Sequence, residues 1–338
     1  MDLLSEVLKV VKLDGAIYYN AEFTAPWAFR APPSTVLAPY FEAGGGHVII
    51  YHLLTEGRGS AGVEHGERVP LAAGDIVVFP HGDAHIVSNG APIRPVDNER
   101  DLHQIMAQGL KLARMGGGGE VTRFVCGYMS CDPQLSRVFL GGLPALFKVH
   151  IRGDGAGQWL ENSIRFSVDQ ADASRAGGGA VLAKLSEVLF TETLRRYIAQ
   201  LPPEKTGWLA GARDPEVGKS LALMHRNPAH PWTIADLARE AGLSRAVLAE
   251  RFRHYLGEPP IAYLTRWRMQ LAARMLKSSN RSVAEIAADV GYESEAAFNR
   301  AFKRELAVPP ARFRTESRAA TRKHPSPTAG SVGVTQQA

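Results

Sequence analysis

Cysteine is nearly missing from this chain: only Cys126 and Cys131 occur in 338 residues. Two thiols cannot form a disulfide framework, so the fold must rest on hydrophobic burial, as expected in a reducing compartment. Long apolar runs are missing too. No stretch reaches the roughly 20 residues needed to cross a bilayer. The opening MDLLSEVLKVVKLDG is amphipathic with internal charges, unlike the apolar core of a signal peptide. These absences argue against a disulfide-stapled scaffold and a membrane-spanning protein, and predict a cytoplasmic location with no membrane partner. What is present is ordinary for a globular protein: 45% apolar and 22% charged residues, in a length that suits two domains with separate cores.

A strong excess of one charge is also lacking, since the net charge is +5. Its distribution is more informative. Residues 213–323 hold 20 Lys and Arg against 12 Asp and Glu, while the rest holds 19 against 22. A basic C-terminal third on a faintly acidic remainder suggests a nucleic-acid-binding module joined to something else.

The first ~110 residues carry short apolar runs divided by Gly, Pro and Asn, the pattern of evenly spaced strands in a sandwich or small barrel. HVIIYHLL (47–54), VPLA (69–72) and DIVVFP (75–80) are such runs. The glycines of RMGGGGEVTRFVCGYM (114–129) suit a loop tip, because a strand-like run follows them. From Gly179 the period becomes helical: Leu182, Leu185 and Leu189 make one face of a helix that stops at Pro202-Pro203. That face either packs on its own domain or forms a dimer contact. EKTGWLAGARDP (204–215) reads as a linker, and the small, polar end of the chain is expected to be disordered.

Two segments of the basic third repeat each other: TIADLAREAGLSRAVLAERFR (233–253) and SVAEIAADVGYESEAAFNRAFK (282–303). Thr233 and Ser282 each open a capping box, with Asp236 and Glu285 three residues on. Gly242 and Gly291 fall where each helix must end and turn, and glycine takes positive φ there cheaply. Ser244 and Ser294 are placed to cap a following helix. Small Ala238 and Ala287 allow that helix to cross closely, and Phe252 and Phe302 close each unit. Helix, tight turn and helix make a helix-turn-helix. Between the units, PIAYLTRWRMQLAARMLKSS (260–279) reads as one helix about 28 Å long, close to the ~34 Å turn of B-DNA.

Residues 213–316 resemble the double helix-turn-helix domain of AraC/XylS-family transcription regulators. The resemblance rests on the run Gly291, Tyr292, Ser294, Ala297, Phe298, Arg300, Ala301, Phe302 and Lys303, and on the closing Pro-Pro-x-x-Phe-Arg. It implies that second helices at about 244–254 and 294–304 enter successive major grooves. By position, Arg245, Ala246, Ala249 and Glu250 would face bases from the first unit, and Glu295, Ala296, Asn299 and Arg300 from the second. Arg245 and Arg300 suit guanine and Asn299 suits adenine. The alanines offer apolar contact, and the glutamates suit cytosine or an ion pair. Arg253, Lys303 and Arg304 fit phosphates, which position without specifying sequence.

GDIVVFPHGDAHIVSN (74–89) fits the second motif of the cupin barrel at Gly74, Pro80, Gly82, His85 and Asn89. In metal-binding cupins His85 would be a ligand, but Ile50 stands at the first motif's glutamate position, and His47 and His52 fall at the wrong spacings. A salvaged set of His52, Glu56 and His85 is the alternative, and neither a metal nor another cofactor is expected. Ala25-Pro26-Trp27, YHLLTEG (51–57), residues 74–85 and VCGYMSCDP (125–133) resemble the cupin-type sensor domain of one AraC-family branch. Trp27, Tyr40, Tyr51, His52, Phe79 and His85 are the effector-pocket candidates, since such sites are mostly apolar with a few polar anchors. Cys126 and Cys131 are either a redox pair, if a turn brings their Cα atoms within ~7 Å, or buried apolar residues.

The expected fold is α+β: a cupin-like sensor barrel at 1–150, an interdomain helical region at 151–212, an all-α double helix-turn-helix domain at 213–316 and a disordered tail at 317–338. The expected function is sequence-specific transcription regulation without enzymatic activity, governed by a small-molecule or redox signal. Promoter DNA, an effector, RNA polymerase for an activator, and a second copy in a homodimer are the expected partners. The rivals are a cupin metalloenzyme with an appended helical DNA-binding domain and a nucleoid-type binder.

Overall fold

Strand β1 (Asp14–Thr24) leads to β2 (Ala28–Ala31), the short helix α1 (Ser34–Leu37) and β3 (His47–Glu56). A ladder of short strands follows: β4 (Arg58–Val63), β5 (Val69–Ala72), β6 (Asp75–Phe79), β7 (His85–Ser88), β8 (Val96–Asp97) and β9 (Ala113–Gly116). The long β10 (Val121–Cys131) and β11 (Phe147–His150) complete the strands. This is a computed structural model, which describes residues 14–38, 47–90, 93–97, 112–131, 142–169, 178–202 and 204–323, with Leu3, Leu4, Leu8 and Leu140. Six strands pair in the order β11-β6-β3-β10-β1-β9 and five in the order β5-β4-β7-β2-β8. Among the described residues neither sheet closes on itself. The two face each other as a jelly roll, which is the form the expected barrel takes.

HVIIYHLL lacks polar alternation because β3 lies inside a sheet buried on both faces. Val48, Ile50, His52 and Leu54 point between the sheets, where Phe23, Phe29, Phe79 and Phe124 also lie. Ile49, Tyr51 and Leu53 point the other way, beneath α2 (Gly155–Asp169) and α3 (Gly178–Gln200). Leu182, Leu189 and Leu194 bury the inner face of α3, and its Ser186 meets the Tyr51 hydroxyl at 2.5 Å. Within this chain, then, the predicted face of the helix packs on its own domain.

The expected linker is itself a packed helix. Within EKTGWLAGARDP, α4 (Trp208–Arg213) buries Trp208, Leu209 and Ala210, and Asp214 caps the next helix, α5 (Pro215–Arg226). The two repeats then follow: α6 (Ile234–Ala241) and α7 (Arg245–Leu256), a long α8 (Pro260–Ser278), and α9 (Val283–Asp289) and α10 (Glu295–Leu306). Both capping boxes form, Ser244 and Ser294 accept from backbone amides at their helix starts, and Phe252 and Phe302 are fully buried. α11 (Pro310–Lys323) carries helix past residue 316 into the segment expected to be disordered; residues 324–338 lie outside the described residues.

Candidate nucleic-acid interface and sensor interior

The two second helices present their outer faces to solvent. Arg245, Ala246, Glu250 and Arg253 are exposed along α7, with Ala249 half-buried. Glu295, Ala296, Arg300, Lys303 and Arg304 are exposed along α10, with Asn299 half-buried. Arg304 leans on Glu305 at 3.5 Å. Arg245, Arg253, Arg300 and Lys303 form no ion pair with the described residues, so their guanidinium and ammonium groups are open to an outside anion or base edge. Side chains pointing the other way from the same helices, Leu248, Phe252, Phe298 and Phe302, are completely buried. This division follows from 3.6-residue periodicity, and it fixes which residues can touch a partner.

Inside the jelly roll, four polar groups form one hydrogen-bonded chain. Cys126 Sγ lies 2.8 Å from His52 Nδ1, His52 Nε2 lies 2.7 Å from His85 Nε2, and His85 Nδ1 lies 2.8 Å from the Asp83 carbonyl. Register explains the first contact, since Cys126 of β10 is the direct partner of His52 on β3. The proton positions follow in turn. The Asp83 carbonyl can only accept, so His85 Nδ1 donates. Burial holds His85 down to about 4, and the neutral ring must then accept at Nε2, which makes His52 Nε2 a donor. Burial and the neighbouring His85 hold His52 well below the usual histidine range too, so neutral His52 accepts from the Cys126 thiol at Nδ1. Burial pushes that thiol up, keeping it protonated. Phe79 stacks on His85 with centroids 3.7 Å apart, and Trp27 stacks on Phe23 at 4.9 Å.

Chain-wide similarity agrees with this geometry. Residues 2–199 match the model of the Cupin family, and residues 237–316 match that of the Helix-turn-helix domain. The chain is 30% identical over 323 residues to the HTH-type transcriptional regulator AlkR of Acinetobacter baylyi, covering 94% of this chain and 100% of that protein. The chain belongs to the AraC-type transcription regulators. It is also 31% identical to the RCS-specific HTH-type transcriptional activator RclR of Escherichia coli, over 94% of this chain and 99% of that one. A solved DNA-binding domain of AdpA in complex with a target DNA is 32% identical, covering 31% of this chain and 95% of that domain, with a TM-score of 0.30.

For this AraC-type regulator, several expected site residues separate in space. Trp27, His52, Phe79 and His85 share the space between the sheets, but Tyr51 does not: adjacent strand residues face opposite sides, and its hydroxyl lies under α3. Parity along β3 could have revealed this. Tyr40 lies outside the described residues. The redox pair is overturned. Cys126 and Cys131 sit on one continuous strand, about 16 Å apart at ~3.3 Å per residue, and they face opposite sides, whereas a disulfide needs about 7 Å or less. Both are buried free thiols.

The donor set does not fit the divalent cation that metal-binding cupins hold. Ile50, at the glutamate position, is fully buried and apolar. Glu56 turns outward to Arg123 at 2.7 Å, away from His52 and His85. Among the described residues no group of three or more His, Cys, Asp or Glu is arranged to hold a metal ion. What sequence reasoning missed was the partnership of Cys126 with His52, because cross-strand register cannot be read from either strand alone.

Proposed function

We propose that this regulator reads an asymmetric promoter site through α7 and α10 and that the jelly-roll interior detects its signal. The observation that carries the reading is the pair of capped helices, each with an exposed arginine, joined by α8. That helix has 19 residues, roughly 28 Å at 1.5 Å per residue, against ~34 Å per turn of B-DNA. Arg245, Arg300 and Asn299 would contact base edges, while Arg253, Lys303 and Arg304 hold phosphates. A promoter-binding role supports a cytoplasmic location. RNA polymerase is a partner if it activates, and a second copy could occupy a neighbouring site.

For the signal, the interior favours a small molecule over an oxidant. Cys126 is buried and held as thiol, the unreactive state of cysteine. His52 and His85, bonded to each other, are the polar groups of an otherwise apolar interior, which suits a largely apolar effector whose one hydrogen-bonding group exchanges for one of their bonds. The test is a footprint on DNA upstream of the protein's own gene and its neighbours, repeated with R300A and H85A. R300A should lose specific binding while remaining folded, and H85A should keep the basal footprint but lose its response to inducer. A footprint unchanged by R300A would remove that residue from the reading set.

A further inference from the structure

The two reading helices are alike in sequence but are held differently. Positions fifty apart correspond: Ser244 with Ser294, Phe252 with Phe302, and Gly257 with Ala307. By the same offset Arg251 corresponds to Ala301, so an arginine on the first helix stands where the second has a buried methyl group. Arg251, with 40% of its side chain exposed, is turned toward the linker and not left unpaired like Arg245 and Arg253. Its Nη1 donates to Asp214 at 3.0 Å and to Glu216 at 2.5 Å. Asp214 is nearly buried, with 8% of its side chain exposed, and is shared by two helices: it follows the last residue of α4 and caps α5 through the amides of Glu216 and Val217.

Further contacts tie the same end of α7 to the linker. The Gly207 amide donates to the Tyr255 carbonyl at 2.7 Å. Gly211 of α4 comes so close to α7 that a Cβ there would lie 3.2 Å from the Tyr255 Cβ and 3.6 Å from Leu256. α4 is in turn joined to the first domain: Arg213 donates to the Leu201 carbonyl just beyond α3, and α4 packs on α3. The second helix is set otherwise. α10 packs on α8, α9 and α11, with Phe298 and Phe302 in ring contact with Tyr292 and Phe313.

We infer that Arg251 is a positioning residue for the first reading helix, clamping α7 to the Asp214 junction, so that the linker governs recognition of the first half-site and leaves the second unchanged. This rests on the DNA-reading function above. A displacement of α4 reaches α7 directly through Asp214, Gly207 and Gly211, whereas α10 is oriented by its own three-helix packing. Energetic coupling requires an element that both sites bias, and the α4–α7 junction is that element.

The test uses the full chain and three versions of the footprinted DNA: intact, first half-site scrambled and second half-site scrambled. The half-site whose contribution survives R300A is the first. The variants are R251Q and D214N; asparagine caps helices about as well as aspartate, so D214N removes the charge while keeping the cap. In both variants the preference for intact over first-scrambled DNA should fall about tenfold. Preference over second-scrambled DNA, and the salt dependence of binding, should stay as in the wild type. Unchanged half-site preference in both variants overturns the inference. So does an R251Q defect spread evenly over all three DNAs with a shallower salt slope, because that is the mark of a lost phosphate contact. If R251Q does not fold, D214N decides alone. Absence of any specific footprint with the wild-type protein would instead sink the DNA-reading function itself.

Discussion

His85 shows how much one side chain's surroundings decide. It is fully buried and held neutral, with a folded-state value of about 4 against the usual 6.5. When folding lowers a histidine's value, the unfolded chain takes up a proton first as the medium acidifies. Stability is therefore fully present above about pH 6.5 and lost as pH falls toward about 4. The loss from His85 alone is on the order of 3 kcal/mol. His52 and His225, also depressed by burial, act in the same direction. Urea unfolding at pH 7.5 and 5 should show this slope, and H85Q should flatten it without abolishing it. An H85Q slope as steep as wild type would mean that His85 is not the neutral, buried group described. The burial itself was only half legible in the sequence. The cupin-like motif at 74–89 made His85 a pocket candidate, and Ile50 stood where a metal-ligand glutamate would be. The chain of bonds to Cys126 was not legible, because it depends on β3 and β10 pairing Cys126 with His52, a register that only the folded sheet defines.

At the level of elements, the repeats were the most legible part of the chain, because caps and turns are local and leave local signatures. Thr233, Ser282, Ser244 and Ser294 all serve as helix caps as their spacing implied. Helix α4 was harder to see, since six residues containing Gly and Ala carry almost no periodic signal, and its stability comes from burying Trp208 against α8. The two turn glycines also look equivalent in sequence but differ in the fold. Both have positive φ, 72° at Gly242 and 83° at Gly291. A Cβ on Gly242 would meet nothing within 4 Å, whereas one on Gly291 would lie 2.4 Å from the Ala229 carbonyl oxygen. G242A should therefore cost only the backbone penalty, about 1–2 kcal/mol. G291A adds a clash with main chain that cannot rotate away, for a total of about 2–4 kcal/mol. Thermal unfolding of both variants checks the order, and equal losses would mean that the loop bearing Ala229 moves aside freely.

Over the whole molecule, charge and fold divide the chain at the same place. The helical third carries 20 basic against 12 acidic side chains, and the jelly roll with its helices is slightly acidic. Many of those basic groups are occupied internally: Arg251 by Asp214, Arg266 by Glu258, Arg281 by Asp289, and Arg268 by the Pro228 and His230 carbonyls. Ion pairing thus leaves fewer free cations than the count suggests, and Arg245, Arg253, Arg300 and Lys303 on the outer faces of α7 and α10 are among those that remain. Salt dependence measures this directly. Each phosphate neutralised adds about 0.9 to the slope of log affinity against log salt. The three groups proposed to hold phosphates, Arg253, Lys303 and Arg304, set the expected scale, so K303A should make the slope shallower by roughly 0.9 and weaken all DNA sequences alike. R300A should behave differently, weakening specific DNA far more than random DNA, because the contact proposed for Arg300 is to a base and not to the backbone. If K303A leaves the slope unchanged, Lys303 lies outside the interface, and the basic face of α10 must meet DNA through a different edge.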